Sequence, residues 1–99
     1  MVPDARLEGR ILESRVPGIE AALRRQVVAF VQRLRGLDLK KLPSVSETID
    51  WARVLVLLHA TELEHELVRS TLNVLLKFEG DMAAVGPKVG ELTHKARDA

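Results

Sequence analysis

Residues whose types and spacing could do chemistry gather at two places in this sequence. The first is the run His59, Glu62, Glu64, His65 and Glu66, rich in imidazole and carboxylate. Its Glu62-x-x-His65 spacing is the one with which carboxylate-bridged di-iron bundles hold their metals. That architecture needs the motif on two helices, and it occurs once. His65 shares a helical stripe with Glu62 and Arg69, which puts it on an exposed face. The run therefore reads as a solvated helix start, with acids near the positive end of the helix dipole. His94 reads as a tail residue.

The second place is Pro43-Ser44-Val45-Ser46-Glu47. Ser44 can accept a hydrogen bond from a free N–H of a helix start, while Glu47 reaches back to the Ser44 N–H, a capping box. Pro43 keeps the residue before it out of the helix. An end of this kind can also offer N–H groups and the Ser44 or Ser46 hydroxyl to a phosphate, with Lys40 and Lys41 close by in sequence. The plainer reading is a cap on a core helix and no more. Both remain open at this stage.

Other chemistries find no support. The segment from Gly80 to Lys88 is the nearest thing to a P-loop, but its spacing is wrong and Pro87 stands where the lysine belongs. There is no cysteine, hence no disulfide and no thiolate metal site, and no serine is flanked by glycines. The chain alone is not expected to be an enzyme.

Composition narrows the class. Ninety-nine residues make one domain, and 46% apolar with 29% charged residues is the balance of a globular protein. Three aromatics in the whole chain leave the packing to Leu, Val and Ala and argue against an aromatic nucleic-acid platform. Met1 to Asp4 has neither a basic head nor an apolar run, so no signal peptide is expected and a cytoplasmic location is the default. Net charge is only +1, yet up to Lys41 nine basic residues face five acidic ones, and from Pro43 to Glu66 one faces five. Such a dipole could orient a partner, although solvated helix faces explain it as well.

These residues must be positioned by helices. A first helix is expected from about Asp4 to Arg15, with Asp4 as cap and Leu7, Ile11 and Leu12 as a narrow apolar stripe among the charged Arg6, Glu8, Arg10 and Glu13, ending at the Val16-Pro17-Gly18 turn. A second, about Ile19 to Arg35, repeats Ile19, Leu23, Val27, Phe30, Val31 and Leu34 on one face. Its other face carries Arg24, Arg25, Gln32, Arg33 and Arg35, and Gly36 stops it. The third, Ser44 to Leu58, holds Trp51 and is apolar nearly all round in its second half, as expected of the central helix of a bundle. It is too short and too polar at its start to cross a membrane.

A second Thr-x-x-Glu box, Thr61 to Glu64, is expected to open a fourth helix reaching about Phe78 and weakened at Gly80-Asp81. The tail repeats Met82, Val85, Val89, Leu92 and Ala96 at helical spacing, but Pro87 forbids one continuous helix, so a break is expected between Val85 and Pro87. The fold class is all-α, a small bundle of four to five helices over about residues 4–79 with a helical tail over 80–99. A helix-turn-helix does not fit, since the third helix is apolar and the fourth starts acidic. Nucleic acid is thus not the expected partner.

Four blocks in order carry a resemblance: Val16 to Ile19, Arg25 to Gln32, Pro43 to Ala52, and Leu72 to Lys77. With them the chain resembles the C-terminal helical lid of MoxR-type AAA+ ATPases, and more closely the CoxD-like branch. The likeness runs up to about Asp81. It implies an AAA+ lid-like bundle that folds over ATP and Mg²⁺ held by an α/β core with Walker A and B motifs, a core this chain lacks. No cofactor is implied for the chain itself. The implied partners are that core, neighbouring subunits of a ring hexamer, a remodelled protein client and a protein carrying a von Willebrand factor A domain.

In the family the helix matching Ser44 to Leu58 begins with a sensor-2 element, commonly an arginine that reaches the γ-phosphate. This sequence departs from that pattern. Its first turn offers Ser44, Ser46 and Glu47, and the nearest arginine, Arg53, lies about two turns further in. The residues expected near nucleotide are Ser44, Ser46, Lys40, Lys41 and Arg53, while Trp51 is expected to pack in the core rather than against adenine. The competing expectation is an autonomous helical adaptor that docks a partner through the basic second helix or the Met82 to Ala96 stripe.

Overall fold

The computed structural model describes residues 4–99, and among these the chain is all-helical with no strand. Helix α1 (Ala5–Arg15) opens on Asp4, whose carboxylate accepts the Leu7 N–H at 2.8 Å. It ends at a turn in which Gly18 takes φ +88°, a left-handed conformation that L side chains adopt at a cost. The chain then reverses into α2 (Ala21–Arg35). Glu8 pairs with Arg35 and Glu13 with Arg24, the register of two antiparallel helices.

Helix α2, not α3, is the element the others pack around. It touches α1, α3 and α6, and it buries Leu23, Val27, Val28, Phe30, Val31 and Leu34. Helix α3 (Val45–Leu57) buries Ile49, Trp51, Ala52 and Leu55 but leaves Leu57 and Leu58 77% and 54% exposed. Its second half is apolar nearly all round, as the sequence suggests, yet the other described residues leave one side of it uncovered. That is why it does not take the central place expected of it.

Two further expectations are corrected. Glu8 and Arg35 belong to faces that read as solvent-exposed, and the structure buries both, with side-chain exposures of 0% and 6%. Leu7, expected in the apolar stripe, is instead exposed. The rows that enter the core are Glu8, Leu12 and Val16 on α1 and Leu23, Val27, Val31 and Arg35 on α2, each spaced by four. Each charged residue extends its apolar row by one turn, and antiparallel packing brings the two ends together.

The fourth helix is shorter than the Thr61 to Phe78 expectation. α4 (His65–Thr71) runs into a 3₁₀ turn at Leu72–Val74. Its start is delayed because the buried Leu63 donates its N–H to the Gln26 side chain at 2.7 Å and Glu64 is extended, so Thr61 cannot cap. The tail divides as Pro87 requires, into α5 (Glu79–Val85), a 3₁₀ turn at Gly86–Lys88 and α6 (Val89–Arg97). Gly80 and Asp81 lie inside α5 rather than at the end of the preceding helix. Val85, Val89, Leu92 and Ala96 join the one core, with α6 against α2 and α4. The radius of gyration, 12.1 Å, is that of a folded chain of this length, so the tail is folded back rather than extended. No helix among the described residues is long and apolar enough to cross a membrane.

The end of α3 carries a testable strain. Ala60 N–H donates to Leu55 O and His59 N–H to Val56 O, the paired bonds of a Schellman motif, with His59 at φ 60° where glycine is favoured. Replacing His59 with Gly is expected to raise stability by about 0.5–1 kcal/mol, since relief of the left-handed penalty exceeds glycine's added chain entropy. A urea titration checks it, and a loss of stability would refute it.

Candidate functional site

The start of α3 brings together most of the residues singled out for a phosphate. Ser44 and Glu47 satisfy each other: the Glu47 N–H donates to Ser44 Oγ at 3.2 Å, and the Ser44 N–H and hydroxyl donate to Glu47 Oε1 at 2.9 and 3.1 Å. Lys41 Nζ lies 3.0 Å from Glu47 Oε1 and Lys77 Nζ 3.6 Å from Oε2, both lysines half-exposed. Lys40 Nζ stands 4.5 Å over the Phe78 ring, a cation–π contact. Ser46 is exposed on the first turn.

Two buried groups fix this corner from behind. The Asp81 carboxylate accepts the Lys40 and Lys41 N–H groups at 2.8 and 3.1 Å, which sets the path of the loop into α3. Arg35 donates through Nε to Pro43 O at 2.9 Å and through Nη2 to Thr48 Oγ1 at 3.3 Å. Its other donors meet Glu8 in a two-pronged contact, 2.7 Å on each side, and Gln32 adds a bond to Glu8 at 3.0 Å. The loop and cap that hold Lys40, Lys41, Ser44 and Ser46 are thus positioned by α1, α2 and α5 together.

Arg53 is not part of this group. It is exposed, and its Nη2 donates to the carbonyl of Arg15 at 3.2 Å, covering one of the open carbonyls at the end of α1. From the first turn of α3 it lies roughly 12 Å along the axis at 1.5 Å per residue. Trp51 is fully buried, 5.2 Å from Phe30, as expected of a core residue.

Sequence reasoning missed Lys77, Phe78 and Asp81, because their partners in the corner lie thirty to forty-one positions away and nothing local marks them. A weak signal was available for Asp81: an acid one residue before Met82 in an apolar period, following an otherwise unexplained helix break. In the His59 to Glu66 run, His65 contacts Arg69 at 3.0 Å and Glu62 pairs with Arg97 at 2.8 Å. Among the described residues no three His, Asp or Glu side chains come together as a metal group would.

Electrostatically the corner already contains its anion. Burial opposes ionisation of Glu47, but the Ser44 N–H, the Lys41 ammonium, the Ser44 hydroxyl and the Lys41 charge together outweigh it and hold its carboxyl below the usual glutamate value. A depressed folded-state pKa adds stability above the unfolded value of ~4.3, and that stability is lost as pH falls through the folded pKa. Replacing Glu47 with Gln is therefore expected to cost on the order of 1 kcal/mol at neutral pH, a gap that closes in acid below about pH 4. Denaturant titrations of both proteins across pH check it. A gap that stays constant with pH would show that Glu47 acts by shape alone.

The Ser44 and Glu47 groups are mutually satisfied, so what this corner can still offer an anionic ligand is the two lysines at positions 40 and 41, Lys77 and the Ser46 hydroxyl. The chain matches no family model, and at a significant level it matches no characterised protein and no solved structure.

Proposed function

We propose that this chain is the helical lid of a MoxR-type AAA+ ATPase, closing over ATP bound by a core whose Walker motifs it lacks, within a chaperone-like remodelling machine. The observation that carries the reading is the convergence of the four resembling blocks. Gly18 of the first makes the turn between α1 and α2. Phe30 of the second packs on Trp51 of the third. Lys77 of the fourth reaches Glu47 of the third. Residues that carry the likeness thus take part in the core and, through Glu47 and Lys77, in the lysine corner.

A second support is the uncovered apolar surface. Leu57 and Leu58 at the end of α3, and to a lesser degree Leu42 and Phe78 near its start, are large apolar side chains left exposed among the described residues. A lid carries such a surface toward the body it closes on. Closure would be a rigid-body motion. Lys40, Lys41 and Ser46 would turn toward the phosphates, with Ser44 retained as cap. Arg53, engaged at Arg15, would not serve as a sensor-2 arginine without leaving that contact.

Two measurements on the isolated chain test this. Light scattering with a hydrophobic dye is expected to show self-association or dye binding, and a strict monomer that binds no dye counts against the lid. Titration with ATP is expected to give little or no binding, because the core would supply most contacts; tight binding would overturn the reading.

A further inference from the structure

A groove of about 390 Å³ runs between α1 and α2, and none of its lining residues belongs to the lysine corner. Its floor is small and apolar: Ala5 and Gly9 from α1, Val28 and Ala29 from α2. Arg6, Arg10 and Arg25 stand along it, exposed and without a hydrogen-bond or ion-pair partner among the described residues. Ala99 closes one end of it, and the one acidic side chain on its edge, Glu13, is already paired with Arg24 at 3.3 Å. The unpaired charged side chains of the rim are therefore all positive.

Gly9 supplies an independent observation. It sits in the middle of α1, where glycine costs roughly 0.5–1 kcal/mol relative to alanine. A Cβ built there meets nothing within 4 Å, so packing inside the chain does not require glycine. The residue keeps the floor of the groove open.

We propose that this groove docks an acidic amphipathic helix of a partner protein, with its apolar side chains on the Ala5, Gly9 and Val28 floor and its carboxylates on Arg6, Arg10 and Arg25. The floor from Ala5 to Glu13 spans roughly 12 Å of α1, room for about two turns of a second helix. Charge complementarity selects acid over base. The apolar floor selects a peptide over a phosphodiester backbone, which would have nothing to bury there. A second copy of the chain fits less well, since its most exposed apolar side chain, Leu57, has Arg53 one turn away. This docking stands independently of the lid reading.

The test uses a fluorescent designed peptide with leucines at 3–4 spacing flanked by glutamates. Three controls accompany it: the same pattern with lysine for glutamate, the same pattern with serine for leucine, and a random-sequence DNA duplex. Anisotropy is expected to rise only with the first. Affinity is expected to fall by about tenfold or more in the Arg10→Glu/Arg25→Glu double variant and again in Gly9→Leu, which fills the floor, with thermal melting showing that each variant is folded. Equal binding of the lysine or serine peptide would overturn the proposal. So would the absence of binding to the acidic peptide, whether or not DNA binds instead, and so would self-association that Gly9→Leu abolishes while no peptide binds.

Discussion

Replacing Glu8 with Ala is expected to cost about 3–5 kcal/mol, because it leaves the Arg35 guanidinium buried without its counter-charge. Glu8 is 0% exposed and Arg35 6%, and their two contacts are both 2.7 Å. For a domain whose total stability lies around 5–15 kcal/mol, that loss is a large fraction of the whole. At about 4–8 °C per kcal/mol for a chain this small, the melting temperature should fall by roughly 20 °C. The damage should not stop at α1. Arg35 also holds Pro43 O and Thr48 Oγ1, so the cap of α3 should loosen and amide exchange at the start of α3 should speed up. Replacing both partners with apolar residues, Glu8→Leu with Arg35→Met, should restore much of the stability but not the slow exchange at Ser44 to Thr48. A loss below about 1 kcal/mol for Glu8→Ala would mean that the pair is solvated in solution.

The second large effect belongs to Trp51. Its ring is fully buried against Phe30, and its Nε1–H donates to Thr71 Oγ1 at 2.8 Å, while the Thr71 hydroxyl donates on to Leu67 O at 2.8 Å. Trp51→Ala is expected to cost about 3–5 kcal/mol through the cavity it leaves. Thr71→Val keeps the volume but strands the indole N–H, at a cost of about 1–3 kcal/mol. Denaturant midpoints for both measure this, with Trp51 fluorescence as the probe in the second. A Thr71→Val variant as stable as the parent would show that the indole N–H finds water instead.

Local signals made most of the fold legible. The Ser44 and Glu47 box, the Asp4 cap, the Val16-Pro17-Gly18 turn and the break at Gly86-Pro87 each depend on neighbours within a few residues, and each forms as its residues suggest. What local pattern does not carry is tertiary pinning. The delayed start of α4 depends on Gln26, thirty-seven positions from Leu63. The burial of Glu8 depends on Arg35, twenty-seven positions away, and a charged residue at the end of an apolar row looks the same whether the row continues into a partner or into water. The exposed Leu57 is the converse, an apolar residue on an apolar helix that the fold leaves 77% exposed.

The candidate site was partly legible for the same reason. Ser44, Lys40 and Lys41 are close in sequence, and helix geometry gathers them with Ser46. Asp81 and Lys77 enter from α5 and the segment before it, and Arg53 is drawn away by the carbonyl of Arg15.

The most direct test of the lid reading is the native polypeptide itself, captured with an antibody to this chain and read by peptide mass spectrometry. The lid account predicts peptides carrying Walker A and B motifs in the same polypeptide, N-terminal to the residues described. A stand-alone product of the chain's own 11.0 kDa, with no Walker-bearing subunit in stoichiometric association, would contradict it.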